Sequence, residues 1–125
     1  MSRVVIIEDD PLMRSLLIEW LAAEGYQVEC ADRDNEKDAS AADLVIVDLY
    51  MPRHLGVERL HSARRAYPQV PIIATSAQFR SGLDCGGSLA HAFGVAHVIA
   101  KPFDREALLR AVRCVIGHHP ALDPG

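Results

Sequence analysis

Short apolar runs that alternate with segments of helical spacing constrain the fold of this chain more than any other feature. Five such runs predict β-strands over residues 4–7, 26–31, 44–47, 70–75 and 95–100. Helical spacing follows from Pro11 up to Gly25, over residues 56–66, and from the capping Asp104 up to Gly117. Strands that alternate with helices in this way predict βαβ units and therefore a parallel sheet.

The strand count limits the topology further. Right-handed crossovers leave few arrangements for five βαβ-type strands. We therefore predict an α/β fold, namely a flavodoxin-like doubly wound parallel sheet of five strands in the order 2-1-3-4-5. A chain of 125 residues, half of them apolar, suits a single domain with its own core.

Composition excludes several classes of function. The net charge of −4 leaves no basic surface for direct binding of nucleic acid. No apolar run approaches the ~18 residues of a membrane span, and the first strand begins without a secretory signal, so we expect a cytoplasmic protein. Cys30, Cys85 and Cys114 are too widely spaced for a zinc site and predict reduced thiols rather than disulfides.

Polar side chains gather where four of the predicted strands end. These residues are Glu8, Asp9 and Asp10 after the first strand, Asp48 after the third, Ser76 after the fourth and Lys101 after the fifth. Ligands of such sheets bind outside the carboxyl ends of the strands, so these side chains should share one edge. Converging carboxylates repel one another, and a divalent cation relieves that repulsion. Oxygen ligands without His or Cys favour Mg²⁺.

The stretch LVIVDLYMP places Asp48 directly after four apolar residues of a buried strand. An unpaired carboxylate in the interior would be costly, so the acid should lie at the mouth of the strand. A carboxylate beside a metal ion, a lysine and a hydroxyl has the parts that phosphoryl transfer requires. Aspartate can itself accept the phosphoryl group covalently. We therefore predict that Asp48 is a nucleophile, although it could also cap a turn.

The chain resembles the receiver domains of two-component response regulators. The resemblance covers residues 3 to about 117 and rests on IIEDDPLMR, on LVIVDLYMP followed by Gly56, on PIIATSA and on AKPF. Each motif alone is weak evidence for this family, but four motifs in the right order are specific to it. The resemblance implies a receiver domain over residues 1–117 and a disordered or linker tail over residues 118–125. The chain could be a single-domain regulator or a piece of a longer protein.

The resemblance also implies a role for each site residue. Asp48 would accept a phosphoryl group from the phosphohistidine of a sensor histidine kinase or histidine phosphotransfer protein. That reaction would switch binding to a downstream protein target, and the domain would not otherwise be an enzyme. The Mg²⁺ ligands would be Asp9, Asp48, Glu8 and the backbone carbonyl of Tyr50. Ser76 would bind the phosphoryl group, Lys101 would pair with Asp48, and Pro102 would follow a cis peptide bond.

Alternatives remain for some residues and for the function. Asp10 is better read as a helix cap than as a metal ligand, and His54 as a solvated loop residue. If the match to the family motif shifted by one residue, Thr75 rather than Ser76 would carry the hydroxyl group that binds the phosphoryl group. A pseudo-receiver would bind partners without phosphorylation. A phosphatase with an aspartate nucleophile would need an Asp-x-Asp motif after its first strand, which this chain lacks there.

The chain departs from the family pattern in three places. Residues 32–42 are shorter than usual and leave room for only about two helical turns. The stretch after Ser76 is longer and contains a Gly-rich segment, residues 81–87, so its helix should start late, near residues 88–93. Val98 stands where many members carry a switch aromatic residue. The Gly-rich segment is therefore the better candidate for the part that moves on phosphorylation.

Overall fold

The computed structural model describes residues 2–8, 10–30, 42–49, 53–76 and 94–116, with residues 53–59 described by their backbone alone. The strands are β1 (Arg3–Ile7), β2 (Gln27–Cys30), β3 (Leu44–Asp48), β4 (Ile72–Ser76) and β5 (His97–Ala100). The helices are α1 (Pro11–Ala23), α2 (Arg53–Ala66) and α3 (Arg105–Ile116).

The five strands form one parallel sheet in the order β2-β1-β3-β4-β5, which confirms the predicted topology. β3 lies at the centre, between β1 and β4, and all of its residues are buried. The register pairs Ile7 with Val47 across β1 and β3, and Asp48 with Thr75 across β3 and β4. The sheet therefore brings the carboxyl ends of β1, β3, β4 and β5 to one edge.

Each sheet face has its own apolar core, because successive side chains of a strand point to opposite faces. One core joins α1 and α3 to the sheet and includes Leu17, Leu21, Leu108 and Val112 with Val4, Ile6, Leu44, Ile46, Ile73 and Ile99. The other core joins α2 to the sheet and includes Leu60, Ala63 and Tyr67 with Val5, Val45, Val47, Ile72, Ala74 and Val98. Helices on both faces make the fold doubly wound.

The ends of α1 follow from local sequence. Asp10 is the N-cap, since its side chain accepts a hydrogen bond from the backbone N–H of Leu12 at 3.1 Å, and Pro11 occupies the first turn. Gly25 follows the helix with φ +96°, a left-handed conformation that favours glycine. Asp104 caps α3 in a similar way, accepting from the backbone N–H of Ala107 at 2.8 Å. The predicted caps are thus confirmed.

Several predicted boundaries differ from the observed ones. β3 and β4 each run one residue further than predicted, so that Asp48 and Ser76 lie inside strands rather than just beyond them. β4 starts at Ile72 rather than residue 70, after Pro71, which has no N–H to donate to a ladder. α2 starts at Arg53, three residues before Gly56, so the glycine lies within the helix. Strand pairing and helix propagation are cooperative. They therefore determine where these strands and this helix begin and end more than the types of the terminal residues do.

Other expectations fall on parts of the chain outside the described residues. They concern the short helix in residues 32–42, the Gly-rich segment at residues 81–87, the helix near residues 88–93 and the tail at residues 118–125. No helix in the described part of the chain has the length and apolar character needed to cross a membrane. Cys30 and Cys114 are exposed and form no disulfide within the described part of the chain.

Candidate functional site

The candidate site lies at the carboxyl edge of the sheet, where three buried polar residues meet. Asp48 ends β3, Glu8 directly follows β1, and Ser76 ends β4; their exposed fractions are 3%, 5% and 3%. Lys101 directly follows β5 and is half-buried. The sheet order places β3 between β1 and β4, so these residues come from neighbouring strands.

Lys101 joins the two carboxylates. Its Nζ lies 3.0 Å from Oδ1 of Asp48 and 3.3 Å from Oε1 of Glu8. Hydrogen bonds between charged groups are stronger than neutral ones, and little water reaches these carboxylates to screen them. The ammonium group thus compensates the charge of two acids that would otherwise repel each other.

Backbone contacts hold Glu8 and Lys101 in this arrangement. The second oxygen of Glu8, Oε2, accepts from the backbone N–H of Asp10 at 3.2 Å. The backbone N–H of Lys101 donates to the carbonyl of Ser76 at 3.0 Å, which ties the lysine to the end of β4. The Lys101–Pro102 peptide bond is cis, as expected from the resemblance. The positions of Glu8 and Lys101 are therefore fixed by the strand ends that carry them.

The shared environment changes the ionisation of two groups. Burial, together with the nearby charge of Asp48, raises the pKa of Glu8 to about 7, and the ammonium group of Lys101 offsets only part of that shift. Burial alone would lower the pKa of Lys101. The hydrogen bond and charge of Asp48, with those of Glu8, outweigh burial and raise that pKa above its ordinary value. The lysine thus stays protonated and available as a cation.

Two hydroxyl groups approach this edge on β4. Ser76 is buried and pairs in register with Ala100 of β5. Thr75 pairs in register with Asp48 and is 1% exposed. Alternation along β4 places Thr75 on the sheet face of Asp48 and Ser76 on the opposite one, so the two hydroxyls differ in direction although they are adjacent in sequence.

Part of the predicted metal shell lies outside the described residues. Asp9 and Tyr50 are not described, and neither are Met51 and Pro52, which lie shortly after Asp48 in the sequence. Within the described part, no group of three or more His, Cys, Asp or Glu side chains comes together. Glu8 and Asp48 contribute two buried carboxylates linked by one cation. An oxygen-only set with surplus negative charge fits a hard divalent ion such as Mg²⁺.

Sequence reasoning anticipated the meeting of strand ends but missed two features of the site. It paired Lys101 with Asp48 alone, whereas the ammonium also contacts Glu8. It treated Thr75 only as a competitor of Ser76, whereas the register sets Thr75 directly beside Asp48. A sequence signal for the second feature was available in the spacing of two residues. It places Thr75 on the same strand face as Ile73, and Asp48 on the same face as Ile46 of the neighbouring strand.

Comparison with known proteins adds family information to this geometry. The model of the response regulator receiver domain family matches residues 4–113. The transcriptional regulatory protein CpxR of Escherichia coli is 29% identical over 119 residues, which cover 93% of this chain and 50% of that protein. PmrA of Pectobacterium parmentieri is 32% identical over 123 residues, covering 91% of this chain and 52% of that protein. The chain thus spans about half the length of these relatives.

Solved structures show the same architecture. The chemotaxis response regulator CheY4 of Vibrio cholerae is 27% identical with a TM-score of 0.71, covering 92% of this chain and 98% of that one. The response regulator TrrA of Thermotoga maritima, solved in complex with Mg²⁺ and BeF, is 29% identical with a TM-score of 0.69. That match covers 92% of this chain and 99% of that one.

Proposed function

Because the chain belongs to the response regulator receiver domain family of two-component signalling, we propose that Asp48 is its phosphoacceptor. In this proposal, Asp48 receives a phosphoryl group from a phosphohistidine on a sensor histidine kinase or a histidine phosphotransfer protein. The phosphorylated domain then changes its binding to a downstream protein. Beyond promoting its own phosphorylation and dephosphorylation, the domain carries out no enzymatic reaction.

The contact between Lys101 and Asp48 is the observation that carries this proposal. A buried carboxylate at the edge of a parallel sheet, 3.0 Å from an ammonium group, is held in place by its partner. The ammonium group also lies where negative charge on a transferred phosphoryl group would develop. Electrostatic stabilisation and positioning supply most of the catalysis in phosphoryl transfer.

Glu8, Asp9, Asp48 and the carbonyl of Tyr50 would hold Mg²⁺ in this proposal. The described pair fits that role, since Glu8 and Asp48 offer convergent oxygens whose repulsion Lys101 offsets. When bound, Mg²⁺ would supply positive charge that neutralises the phosphoryl oxygens. The Mg²⁺–BeF complex of TrrA, a relative at 29% identity, supports this choice of ion.

In the transfer step, Asp48, Lys101 and Ser76 each have a separate role. An oxygen of the ionised Asp48 attacks phosphorus, and a new P–O bond forms as the P–N bond of the phosphohistidine breaks. The electron pair of that bond leaves with the imidazole, which is protonated in the process. Lys101 pairs with the phosphoryl oxygens as the carboxylate loses its charge. Ser76 is the last residue of β4, and its hydroxyl would bind one of those oxygens from across the edge of the sheet, since its side chain starts on the face opposite Asp48.

Intact-mass measurement tests the proposal. The protein is incubated with acetyl phosphate and Mg²⁺, and separately with a phosphohistidine donor. We expect the mass of one phosphoryl group to be added to wild type, none to Asp48→Asn, and none when a chelator replaces Mg²⁺. Asp104→Asn, which makes the same change in a carboxylate that caps α3, is the matched control and should be phosphorylated normally.

Two outcomes would overturn the proposal. Phosphorylation of Asp48→Asn would place the acceptor elsewhere. A wild-type protein that binds the same partners before and after incubation, and gains no mass, would instead be a pseudo-receiver. A pull-down that compares wild type with and without the phosphodonor separates these results and identifies the downstream protein.

A further inference from the structure

Thr75 carries a buried hydroxyl group whose hydrogen-bonding capacity is not used. Its side chain is 1% exposed, and Oγ1 has no hydrogen-bond partner among the described residues. The backbone of the same residue is satisfied, since its carbonyl accepts from the N–H of Leu49 at 2.7 Å. Buried polar atoms are nearly always paired, so an unpaired hydroxyl calls for a physical explanation.

The position of Thr75 relates this hydroxyl to the site. Thr75 pairs in register with Asp48 of β3 and with Ile99 of β5. Ile46 and Ile73 belong to the core beneath α1 and α3, and two residues further along each strand the same face continues with Asp48 and Thr75. Thr75 therefore shares its sheet face with Asp48, and Lys101 directly follows the neighbouring strand β5.

The contact between Lys101 and Asp48 spans the strand that carries Thr75. β4 lies between β3 and β5, so this contact joins residues on either side of β4. Thr75 is the β4 residue that pairs in register with Asp48. Its hydroxyl group offers two acceptor lone pairs and one donor.

The ammonium group of Lys101 can donate several hydrogen bonds. It carries three N–H bonds, and in the structure Asp48 and Glu8 accept from it. Phosphorylation of Asp48 would form an acyl phosphate, whose phosphoryl oxygens would replace the carboxylate as acceptors for the ammonium group. Binding of Mg²⁺ would draw Glu8 toward the metal, and the half-buried ammonium group would then have a donor left for another acceptor.

We propose that Thr75 is a positioning residue whose hydroxyl accepts a hydrogen bond from Lys101 when that lysine turns to the phosphoryl group on Asp48. The inference rests on the proposed function, because it assigns a partner for Lys101 in the phosphorylated state. In the structure the hydroxyl has no hydrogen-bond partner among the described residues, which is unfavourable for a buried polar group. Once Asp48 carries a phosphoryl group, the hydroxyl holds the ammonium group against the phosphoryl oxygens.

Two pairs of variants isolate the hydroxyl. Thr75→Val replaces it by a methyl group of nearly the same volume. Thr75→Ser and Thr75→Ala both lack the methyl group of threonine and differ from each other only by the hydroxyl group. The second pair provides the comparison if Thr75→Val folds poorly. Ile99→Val, at the register partner of Thr75 in β5, is the packing control, since it loses a methylene and no polar atom.

We expect opposite effects on stability and on chemistry. Without phosphodonor, Thr75→Val should resist urea at least as well as wild type, since it removes an unpaired buried hydroxyl. With Mg²⁺ and acetyl phosphate it should still acquire one phosphoryl group, but at a rate lower by about 3- to 10-fold, the range of one hydrogen bond. Beryllofluoride affinity should fall by a similar factor, and Thr75→Ser should stay within about twofold of wild type.

The outcomes separate the possible roles of Thr75. If Thr75 only fills space, Thr75→Val keeps the wild-type rate and beryllofluoride affinity, and Thr75→Ser behaves like Thr75→Ala; that result overturns the inference and leaves Asp48 as acceptor. Slower phosphorylation of Ile99→Val to the same extent would also overturn it, since packing would then be the cause. A wild-type protein that accepts no phosphoryl group would overturn the proposed function and this inference together.

Discussion

The ammonium nitrogen of Lys101 lies between the carboxylates of Asp48 and Glu8, at 3.0 Å from one and 3.3 Å from the other. The resting site thus contains its own cation. Two acids buried at a strand edge would destabilise the fold if that cation were absent, because desolvation and mutual repulsion both disfavour their ionised forms. Stability and chemistry at this site therefore depend on the same side chain.

Replacing this lysine should lower the stability of the folded protein. Lys101→Met removes the charge but keeps most of the side-chain volume, and we expect a loss of about 2–4 kcal/mol in the free energy of unfolding of the metal-free protein at neutral pH. Urea denaturation in chelator measures it. Lys101→Arg, which keeps the positive charge, should lose less. Equal stability of Lys101→Met and wild type would show that the ammonium group does not compensate the acids.

Divalent cations should stabilise the folded protein. Mg²⁺ at 100 times its dissociation constant adds about 2.7 kcal/mol by mass action, which raises the melting temperature by several degrees. Asp9→Ala should abolish most of this gain, and Glu8→Gln should reduce it while making the metal-free protein more stable. Thermal melts with Mg²⁺ and with chelator measure these shifts. An undiminished Mg²⁺ response in Asp9→Ala would exclude that residue as a ligand.

Strand β5 should change little on phosphorylation. Val98 is fully buried in the core beneath α2 and, as a β-branched residue, has few rotamers and no aromatic ring to move. We expect amide exchange in beryllofluoride and Mg²⁺ to slow most within residues 78–89, which include the Gly-rich segment, and least around Val98. The largest change on β5, with residues 78–89 unaffected, would contradict this prediction.

A pair of arginines on α3 should make stability depend on acidic pH. Glu24, at the end of α1, contacts Arg113 at 2.9 Å and Arg105 at 3.3 Å, and these contacts lower the pKa of its carboxyl group. Because the pKa is lower in the folded state than in the unfolded chain, the contribution is present above about pH 4.5 and is lost as pH falls through the folded value. We expect Glu24→Gln to lose about 0.5–1 kcal/mol at pH 7.

The difference between Glu24→Gln and wild type should shrink as the pH is lowered toward 3, because wild type then loses the same contacts by protonation. Urea denaturation at several pH values measures it. Glu19→Gln makes the same charge change at an exposed position of α1 and should leave the pH profile of stability unchanged. A constant difference between Glu24→Gln and wild type at all pH values would mean that the ion pairs contribute nothing.

The sheet and its polar edge could be predicted from sequence because they depend on patterns that local residues carry. Apolar runs such as residues 44–47 mark buried strands, and the strand order of the fold then brings Asp48 and Lys101 together. The contact of Lys101 with Glu8 could not be predicted, since it depends on the length and direction of one flexible side chain. The relation of Thr75 to Asp48 depends on register, and a shift of one residue would reverse it.

The contact between Lys101 and Glu8 joins residues 93 positions apart and so closes a loop over most of the chain. A polypeptide that is still being synthesised has its first acid and its acceptor long before it has its lysine. The fifth strand, which ends at Ala100, must also be in place before the site is whole. Under our proposal, a truncated or half-made chain cannot hold its acceptor in the reactive arrangement. Under the same proposal, signal reception would be restricted to molecules whose synthesis and folding have reached β5.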